Sequence, residues 1–305
     1  MLESWSDGGR SPILQYSVTP NLVLMLIIER IEEMQRWSDG ERRQGRRIAF
    51  VPTMGFLHEG HLSLVRLGKK RGDRLVVSIF VNPAQFAPQE DFSAYPRDFG
   101  RDRELLEKAD VDVLFHPSVE QMYPAGYQTR VQVENLSTPL CGAFRPGHFR
   151  GVATVVAKLF NIVQPDVAIF GCKDFQQLQV IRRMARDMSF TVEIAGHPTV
   201  REPDGLAISS RNAYLNATER QAARCLAHSL RAAECLVKGG ERRAAVILDR
   251  VTRAIAAEPL ARLEYASLCD AETLAKIDEL RDAAVLALAV WIGKARLIDN
   301  IIFQF

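Results

Sequence analysis

The stretch Ile48-Ala-Phe-Val-Pro-Thr-Met-Gly-Phe-Leu-His-Glu-Gly-His-Leu-Ser-Leu-Val65 decides the fold of this chain. Apolar, β-prone residues fill its first part, a turn follows at Thr53-Met54-Gly55, and apolar residues then recur at helical spacing. The pattern predicts a strand, a tight turn and a helix. His58 and His61 stand three residues apart where that helix begins, so a helical first turn places both imidazoles on one face.

The position of the two histidines indicates what they could bind. In α/β proteins the space beyond the carboxyl end of a parallel strand, against a helix N-terminus, favours anions, because free N–H groups and the helix dipole attract negative charge. Phosphate is therefore the first hypothesis for this position. Two alternatives stay open at this point: a pair of solvated surface histidines, or half of a metal site.

The composition is that of an ordinary globular protein. The 305 residues are 47% hydrophobic and 25% charged, which allows a large core and about two domains. The formal net charge of +2 provides no basic excess for a nucleic-acid backbone. Five scattered cysteines form no C-x-x-C motif, so we expect neither a disulfide framework nor a structural zinc site, and a cytoplasmic location.

The amino-terminal part carries no targeting signal that we recognise. The apolar run at residues 22–28 is too short to cross a bilayer, so we expect no membrane segment and no signal peptide. Residues 1–24 are polar and aperiodic, and we expect a disordered extension upstream of a natural start at Met25.

Strands and helices alternate from residue 25 to about residue 199. Strands are predicted at residues 25–28, 48–52, 75–81, 111–115, 165–170 and 191–195. Helices are predicted at residues 29–43, 61–71, 98–109 and 151–162, with a further helix ending at residue 185. This alternation predicts an α/β fold with a doubly wound, Rossmann-like parallel sheet, since far fewer than eight units are present for a barrel.

Two later stretches add possible phosphate ligands. Lys173 follows the strand at residues 165–170, and its ammonium suits a phosphate, although a solvated surface lysine is the simpler alternative. Residues 199–212 are polar, carry Ser209-Ser210-Arg211 and show no apolar period. They suit a mobile lid over a ligand, or else an inert linker.

The remainder predicts a smaller α+β domain at residues 200–305. A long helix capped by Asn216 and Glu219 should run to about Lys238, and a second helix should cover residues 241–257. Strands are predicted at residues 263–268 and 283–292.

Taken together, these stretches resemble the pantothenate synthetase family of ATP-dependent ligases. The resemblance rests on six blocks in family order: Pro52-Thr-Met-Gly-Phe-Leu-His-Glu-Gly-His61, Val81-Asn-Pro-Ala-Gln-Phe86, Tyr95-Pro-Arg97, Arg145-Pro-Gly-His-Phe149, Phe170-Gly-Cys-Lys-Asp-Phe-Gln-Gln-Leu178 and Arg201-Glu-Pro-Asp-Gly-Leu-Ala-Ile-Ser-Ser-Arg-Asn212. The first block is a form of the H-x-G-H signature of class I aminoacyl-tRNA synthetases and nucleotidylyltransferases. That signature is moderately specific alone, whereas six blocks in order are strongly specific.

The resemblance implies a two-step reaction. The carboxylate of pantoate attacks the α-phosphate of ATP to give pantoyl adenylate and pyrophosphate, and the amine of β-alanine then releases pantothenate and AMP. It also implies Mg²⁺ with the ATP, with Asp102 as its ligand, and a homodimer. No nucleic-acid or membrane partner is expected.

The resemblance assigns roles to individual residues. His61 is implied as proton donor, with His58 and Lys173 beside it in catalysis. Gln85 is implied in binding pantoate and β-alanine, and Gln177 in binding pantoate. The implied ATP-binding residues are Met54, Gly55, Phe56, Leu57, His58, Glu59, Gly60, His61, Gly171, Cys172, Lys173, Asp174, Val200, Ile208, Ser209, Ser210 and Arg211.

Three positions depart from the family pattern. Cys172 stands where Glu is usual, Phe175 where Tyr is usual and Ile208 where Met is usual. Ile208 keeps an apolar contact with the nucleotide, so this replacement should have a small effect. Cys172 removes a charge beside Lys173, which puts the substrate affinity or the reaction rate in question.

Three other functions are alternatives to this ligase activity. The nearest alternative is another adenylating or nucleotidyl-transferring enzyme of the same superfamily with a different small acid, against which Gln85 and Gln177 argue. A tRNA-charging enzyme would need more basic surface. A non-catalytic nucleotide-binding or metal-binding protein is the alternative from another class.

Overall fold

The computed structural model of the chain describes residues 25–305. The expected extension at residues 1–24 lies outside the described residues, and the expected start at Met25 stays a prediction. The helices are α1 Ile31–Arg43, α2 Glu59–Arg71, α3 Phe99–Lys108, α4 Val119–Met122, α5 Cys141–Phe144, α6 His148–Val163, α7 Phe175–Asp187, α8 Ala217–Ala222, α9 Arg224–Lys238 and α10 Ala244–Ala256. The strands are β1 Leu26–Ile28, β2 Ile48–Thr53, β3 Arg74–Ile79, β4 Val113–Phe115, β5 Val167–Gly171, β6 Glu193–His197, β7 Ala261–Asp270, β8 Ala284–Ile292 and β9 Ala295–Phe303.

The predicted parallel sheet is confirmed. Six strands pair in the order β1-β4-β3-β2-β5-β6, and every pairing is parallel. β2 lies at the centre, paired with β3 on one side and with β5 on the other. The chain leaves β2 toward β3 and returns later to β5, so the gap between the carboxyl ends of β2 and β5 is the switch point at which doubly wound folds bind ligands.

The sheet is covered on both faces because β2 is apolar on both of its sides. Ile48 and Phe50 belong to one buried cluster with α1, α6 and α7, whereas Ala49 and Val51 belong to another with α2 and α3. All four of these side chains are fully buried. Two-sided burial is why β2 reads as a continuous apolar run and not as an alternating one.

A smaller antiparallel sheet, β7-β8-β9, follows the parallel one. The helices α9 and α10 cover one face of it, where Leu286 and Leu288 are buried. Val285 and Ala287 alternate with those leucines and join the core of the parallel sheet on the opposite face. The small sheet therefore packs directly against the large unit, as the alternation of a strand requires.

Two sequence-based expectations about this smaller sheet and its helices need correction. The expected long helix is broken at Ala223 into α8 and α9, although the capping box of Asn216 and Glu219 is present as predicted. The strand β9 was not predicted at all. Within residues 25–305, none of the helices combines the length and hydropathy needed to cross a membrane.

A close backbone contact fixes the first turn of α6. A Cβ atom at Gly151 would collide with the carbonyl group of Ala84, in the 3₁₀ turn Pro83–Gln85 that follows β3. Asn82 reinforces this contact, since its side-chain amide donates to the carbonyl of Gly151 at 3.1 Å. Gly151 thereby allows α6 to pack on the turn that carries Gln85.

We expect Gly151→Ala to destabilise the fold by about 2 kcal/mol or more, because the added methyl meets backbone atoms that cannot move aside cheaply. Chemical denaturation measures the change. Gly40→Ala is the matched control: Gly40 lies in α1, a Cβ added there would have no atom within 4 Å, and the replacement should stabilise by up to about 1 kcal/mol. Equal stabilities for the two variants would contradict this role of Gly151.

Candidate active site

The turn after β2 is held by one buried carboxylate. Asp102, in α3, accepts hydrogen bonds from the backbone N–H groups of Phe56 and Leu57, both at 2.7 Å. Gly55 has φ +78° and Phe56 φ +50°, so the chain passes through the left-handed region here. A Cβ at Gly55 would approach an Asp102 oxygen to 3.0 Å. The turn thus needs glycine at this position and a carboxylate beneath it.

The two histidines meet at the start of α2, as their spacing predicted. Their rings stack with centroids 4.0 Å apart and an angle of 26° between the planes. His58 is the extended residue before the helix, and its carbonyl accepts the N–H of His61 at 2.8 Å. Gly60 leaves room for the His58 ring, since a Cβ there would lie 3.0 Å from it.

Burial keeps both imidazoles neutral. Burial, and after it the positive charge of Lys173, lowers the pKa of His58 to about 4. Burial lowers the pKa of His61 to about 3, assisted by His58 and Lys173. The Nδ1 atom of each ring is buried without a hydrogen-bond partner among residues 25–305. Near neutral pH, the pair can therefore offer neutral N–H donors but not imidazolium charge.

Lys173 faces the histidines across the switch point. It lies in the 3₁₀ turn Cys172–Asp174 directly after β5, and its side chain is only 17% exposed. Asn300 of β9 donates its amide to the carbonyls of Cys172 at 3.0 Å and of Lys173 at 2.8 Å. The small sheet therefore holds the turn that carries this cation.

Two amide side chains, Gln85 and Gln177, also line the cleft. Gln85 is buried, accepts a hydrogen bond from Asn82 at 3.0 Å and directs its own amide nitrogen to the sulfur of Met54 at 3.0 Å. Gln177 lies at the start of α7 and lines the same cleft, whereas its neighbour Gln176 is occupied in holding the backbone of residues 136–141. Gln177 is thus the amide of this pair that faces the cleft.

Residues 208–211 line the cleft, and the segment 200–214 that carries them is tethered at both ends. Arg201 forms a two-point ion pair with Asp299, at 2.7 and 2.9 Å. Arg211 forms another with Asp91, at 3.0 and 3.2 Å. Between them, Ser209 and Ser210 line the cleft where the 3₁₀ turn Ser210–Tyr214 begins.

The cleft brings most of the predicted site residues together. It is lined by Met54, His58, His61, Gln85, Lys173, Asp174, Gln177, Ile208, Ser209, Ser210 and Arg211. The other predicted residues do not line this cleft: Gly55, Phe56, Leu57, Glu59, Gly60, Asp102, Gly171, Cys172 and Val200. Val200, for example, accepts the N–H of Ile208 at 3.0 Å and so positions a residue that does line it.

Comparison with known proteins identifies the family. A family profile described as pantoate-beta-alanine ligase matches residues 26–302. The chain belongs to the pantoate-beta-alanine ligase family. Pantothenate synthetase of Heliobacterium modesticaldum is 56% identical over 280 residues, which cover 92% of this chain and 100% of that protein. Pantothenate synthetase of Geobacter sulfurreducens is 56% identical over 276 residues, covering 90% and 98%.

Solved structures of the family share the fold. The crystal structure of the Thermus thermophilus protein has a TM-score of 0.87 at 47% identity and covers 91% of this chain and 99% of its own. The Francisella tularensis pantoate-beta-alanine ligase, complexed with beta-gamma ATP and beta-alanine, has a TM-score of 0.75 at 34% identity, covering 91% and 97%. The superfamily alternative with a different acid substrate finds no support among these relatives.

The departure at Cys172 from the usual ligase-family residue concerns a side chain outside the cleft. A Cβ at Gly196 of β6 would lie 3.1 Å from the Cys172 sulfur, which places the thiol against the edge of the sheet. Burial raises its pKa, so the thiol is neutral. The thiol that replaces the usual carboxylate therefore lies beside β6 and not among the residues that line the cleft.

No role was assigned from the sequence to several residues that build this ligase-family site. Tyr95 belongs to one of the six blocks but received no role, yet it is buried and lines the cleft. Asn82 lies in another block, and the structure shows it bonded to Gln85, Gly151 and Tyr123. Asn300 went unnoticed because β9 was not predicted. For Asn300, the available signal was a polar residue inside an otherwise apolar strand.

The family resemblance implied Asp102 as a magnesium ligand, and in the structure this carboxylate holds the turn after β2. Both of its oxygens accept backbone hydrogen bonds, and it lines a separate cleft with Phe56 and Phe99. In the part of the chain from residue 25 onward, no three His, Cys, Asp or Glu side chains come together in a metal-binding cluster. Its observed contacts make Asp102 a support of the turn, and its part in binding Mg²⁺ stays a prediction.

We expect Asp102→Asn to destabilise the chain by about 1–3 kcal/mol, because one amide oxygen cannot accept both N–H groups and the NH₂ group would face a donor. Denaturation without ATP or metal measures this directly. A residue that served as a metal ligand alone would leave that metal-free stability unchanged or raise it, and such a result would contradict the structural role.

We expect His58 and His61 to stay neutral down to about pH 5. Because their folded-state pKa values of about 4 and about 3 lie below the ordinary 6.5, the unfolded chain takes up protons first. The stability contribution is therefore complete above pH 6.5 and decreases as the pH falls toward 4. Histidine NMR resonances followed against pH check this, and midpoints near 6.5 for this pair would refute it.

Proposed function

We propose that the chain joins pantoate to β-alanine at the expense of ATP, through a pantoyl adenylate, in the cleft between β2 and β5. One observation carries the proposal: amides suited to a hydroxy acid and donors suited to phosphates line one cleft in a member of the pantoate-beta-alanine ligase family. Gln85 and Gln177, which line the cleft, are assigned to the acid. His58, His61 and Lys173, which line it as well, are assigned to the phosphates.

The residues present fit ATP. The α-phosphate gains negative charge as a carboxylate oxygen attacks it and pyrophosphate leaves, so donors fixed in place before the reaction stabilise the transition state. Lys173 supplies a cation from a turn whose backbone carbonyl accepts a hydrogen bond from Asn300. The buried Nδ1 atoms of His58 and His61 lack any protein partner within residues 25–305. The resemblance implied His61 as proton donor. Because its low pKa keeps the ring neutral near neutral pH, we propose that His61 acts as a neutral N–H hydrogen-bond donor.

Pantoate carries hydroxyl groups and a carboxylate, which amides can recognise because they both donate and accept. Gln85 is held by Asn82, and Gln177 projects from α7 toward the same space. In the second step the amine of β-alanine attacks the acyl carbon, and the bond to the AMP oxygen breaks. Gln85, at the floor of the cleft, is assigned to both acids.

Three further parts of the proposal rest on family resemblance: Mg²⁺ bound to the ATP phosphates, a homodimer, and a cytoplasmic location. Asp102 stays the proposed protein ligand for Mg²⁺, in addition to accepting two hydrogen bonds from the turn. We also propose that residues 200–305 form a lid domain. Asn300 and Arg211 support this, since both reach from that part of the chain to the large unit. Light scattering of the purified chain tests the homodimer.

Turnover tests the function. Purified protein with ATP, Mg²⁺, pantoate and β-alanine should form equal amounts of AMP and pantothenate, and AMP should not accumulate when pantoate is left out. Formation of AMP without any dependence on pantoate would overturn the proposed substrate.

We expect His61→Ala and Lys173→Ala each to lower the rate of adenylate formation by roughly 100-fold or more, since each removes a donor from the developing charge. The exposed His228→Ala and Lys69→Ala serve as matched controls. Single-turnover release of pyrophosphate measures the step. A near-normal rate in either site variant, with the fold intact, would remove that residue from the mechanism.

A further inference from the structure

Two adjacent carboxylates, Glu90 and Asp91, hold arginines from two different parts of the chain. Glu90 binds Arg145 through two hydrogen bonds of 2.6 Å each. Asp91 binds Arg211 through two hydrogen bonds of 3.0 and 3.2 Å. Neither carboxylate lines the cleft that holds the histidines, whereas Arg211 does. No role was assigned to Glu90 or Asp91 from the sequence.

The Glu90 side of this arrangement leads to the proposed pantoate site. Arg145 donates to Nε2 of His148, at 3.1 Å. That contact leaves the proton of the neutral imidazole on Nδ1, which donates to the carbonyl of Gln85 at 2.8 Å. Burial, then the charge of Arg145, lowers the pKa of His148 to about 4, which keeps the ring neutral. Glu90 thus supports the backbone of Gln85 through two intermediate side chains.

The Asp91 side leads to the proposed phosphate site. Its carboxylate fixes the Nε and Nη2 atoms of Arg211 and also accepts a hydrogen bond from the Tyr214 hydroxyl at 3.3 Å. Arg211 and Asp91 are each about three-quarters buried, with 28% and 24% of their side chains exposed. A two-point carboxylate contact sets the plane of a guanidinium, which a single contact cannot do.

The segment that carries the two carboxylates is itself fixed, although it has no helix or strand. Phe86 packs against Phe92 and Tyr95, with ring centroids 5.4 and 6.0 Å apart. Arg97 donates to the carbonyls of Phe92 at 2.9 Å and of Tyr95 at 3.0 Å. The two carboxylates therefore lie on a rigid loop. Each can fix the position of its arginine as well as balance its charge.

We propose that Glu90 and Asp91 are positioning residues for the two halves of the site, Asp91 through Arg211 on the phosphate side and Glu90 through Arg145 and His148 on the pantoate side. Neither carboxylate touches a substrate in this account. The inference rests on the proposed function, since it assigns each carboxylate to one of the two substrates of the first step, ATP or pantoate. It predicts that neutralising one carboxylate weakens the use of one substrate and spares the other.

Steady-state kinetics of the full chain tests this. Asp91→Asn should raise the Michaelis constant for ATP about tenfold and change that for pantoate by less than about twofold, because a guanidinium freed from its partner is no longer held in place. Glu90→Gln should do the reverse, with the larger rise for pantoate. Glu41→Gln is the matched control: Glu41 pairs with Arg46 and Arg74 at the other end of the sheet, with 12% of its side chain exposed, and its loss should leave both constants unchanged.

A double-mutant cycle shows whether Asp91 acts through Arg211. In an Arg211→Ala background, Asp91→Asn should change the Michaelis constant for ATP by less than about twofold, since the group that it positions is gone. An undiminished effect in that background would overturn the proposal. Equal rises for both substrates in the single variants would overturn it as well, since that pattern describes general loosening of the site.

Two further variants guard against unfolding. Asp91→Glu and Glu90→Asp keep the charge and should fold, yet each displaces its arginine and should give the same substrate-specific pattern in weaker form. Wild-type protein that fails to form AMP in response to pantoate would refute the proposed function. A working wild type whose four variants lack the pattern would refute the positioning role alone.

Discussion

The two hydrogen bonds from Phe56 and Leu57 to the buried carboxylate of Asp102 are the constraint on which the site depends. They hold the chain in a left-handed turn directly after the central strand, so that α2 begins where the sheet ends. Burial raises the pKa of Asp102, while the two amides partly offset this, and the carboxyl is stable there because both oxygens are satisfied. Because Asp102 fixes the conformation of this turn, His58 and His61 are placed at the start of α2, at the end of the sheet.

The site is completed by parts that come from far along the chain. Lys173 is carried by the turn after β5, and Asn300 holds that turn from the small sheet. Arg211 reaches the same cleft from residues 200–214, which are anchored by Asp299 at one end and Asp91 at the other. A ligase that must bring a carboxylate to a phosphate gains from such bracing, because misplacement of a reacting group is costly in rate. The small sheet therefore helps to position the proposed active site, in addition to its part in the core.

Local patterns in the sequence were sufficient for much of this. Two-sided burial of β2 produced a continuous apolar run, and the turn and helix after it followed from Gly55 and from the spacing of apolar residues. The strand β9 was missed because Arg296, Asp299 and Asn300 interrupt its apolar pattern, and those polar residues are the ones with partners elsewhere. The break at Ala223 has no Gly or Pro to mark it. Pairings such as Asp91 with Arg211 join residues 120 positions apart, and no local period encodes them.

The central claim is that a carboxylate oxygen of pantoate attacks the α-phosphorus of ATP between the histidine pair and Lys173. Tracing that oxygen tests it most directly. Pantoate labelled with ¹⁸O in its carboxylate, turned over with ATP and β-alanine, should transfer one labelled oxygen to AMP, as read by mass spectrometry. Unlabelled AMP, or label in pyrophosphate or inorganic phosphate, would contradict the account.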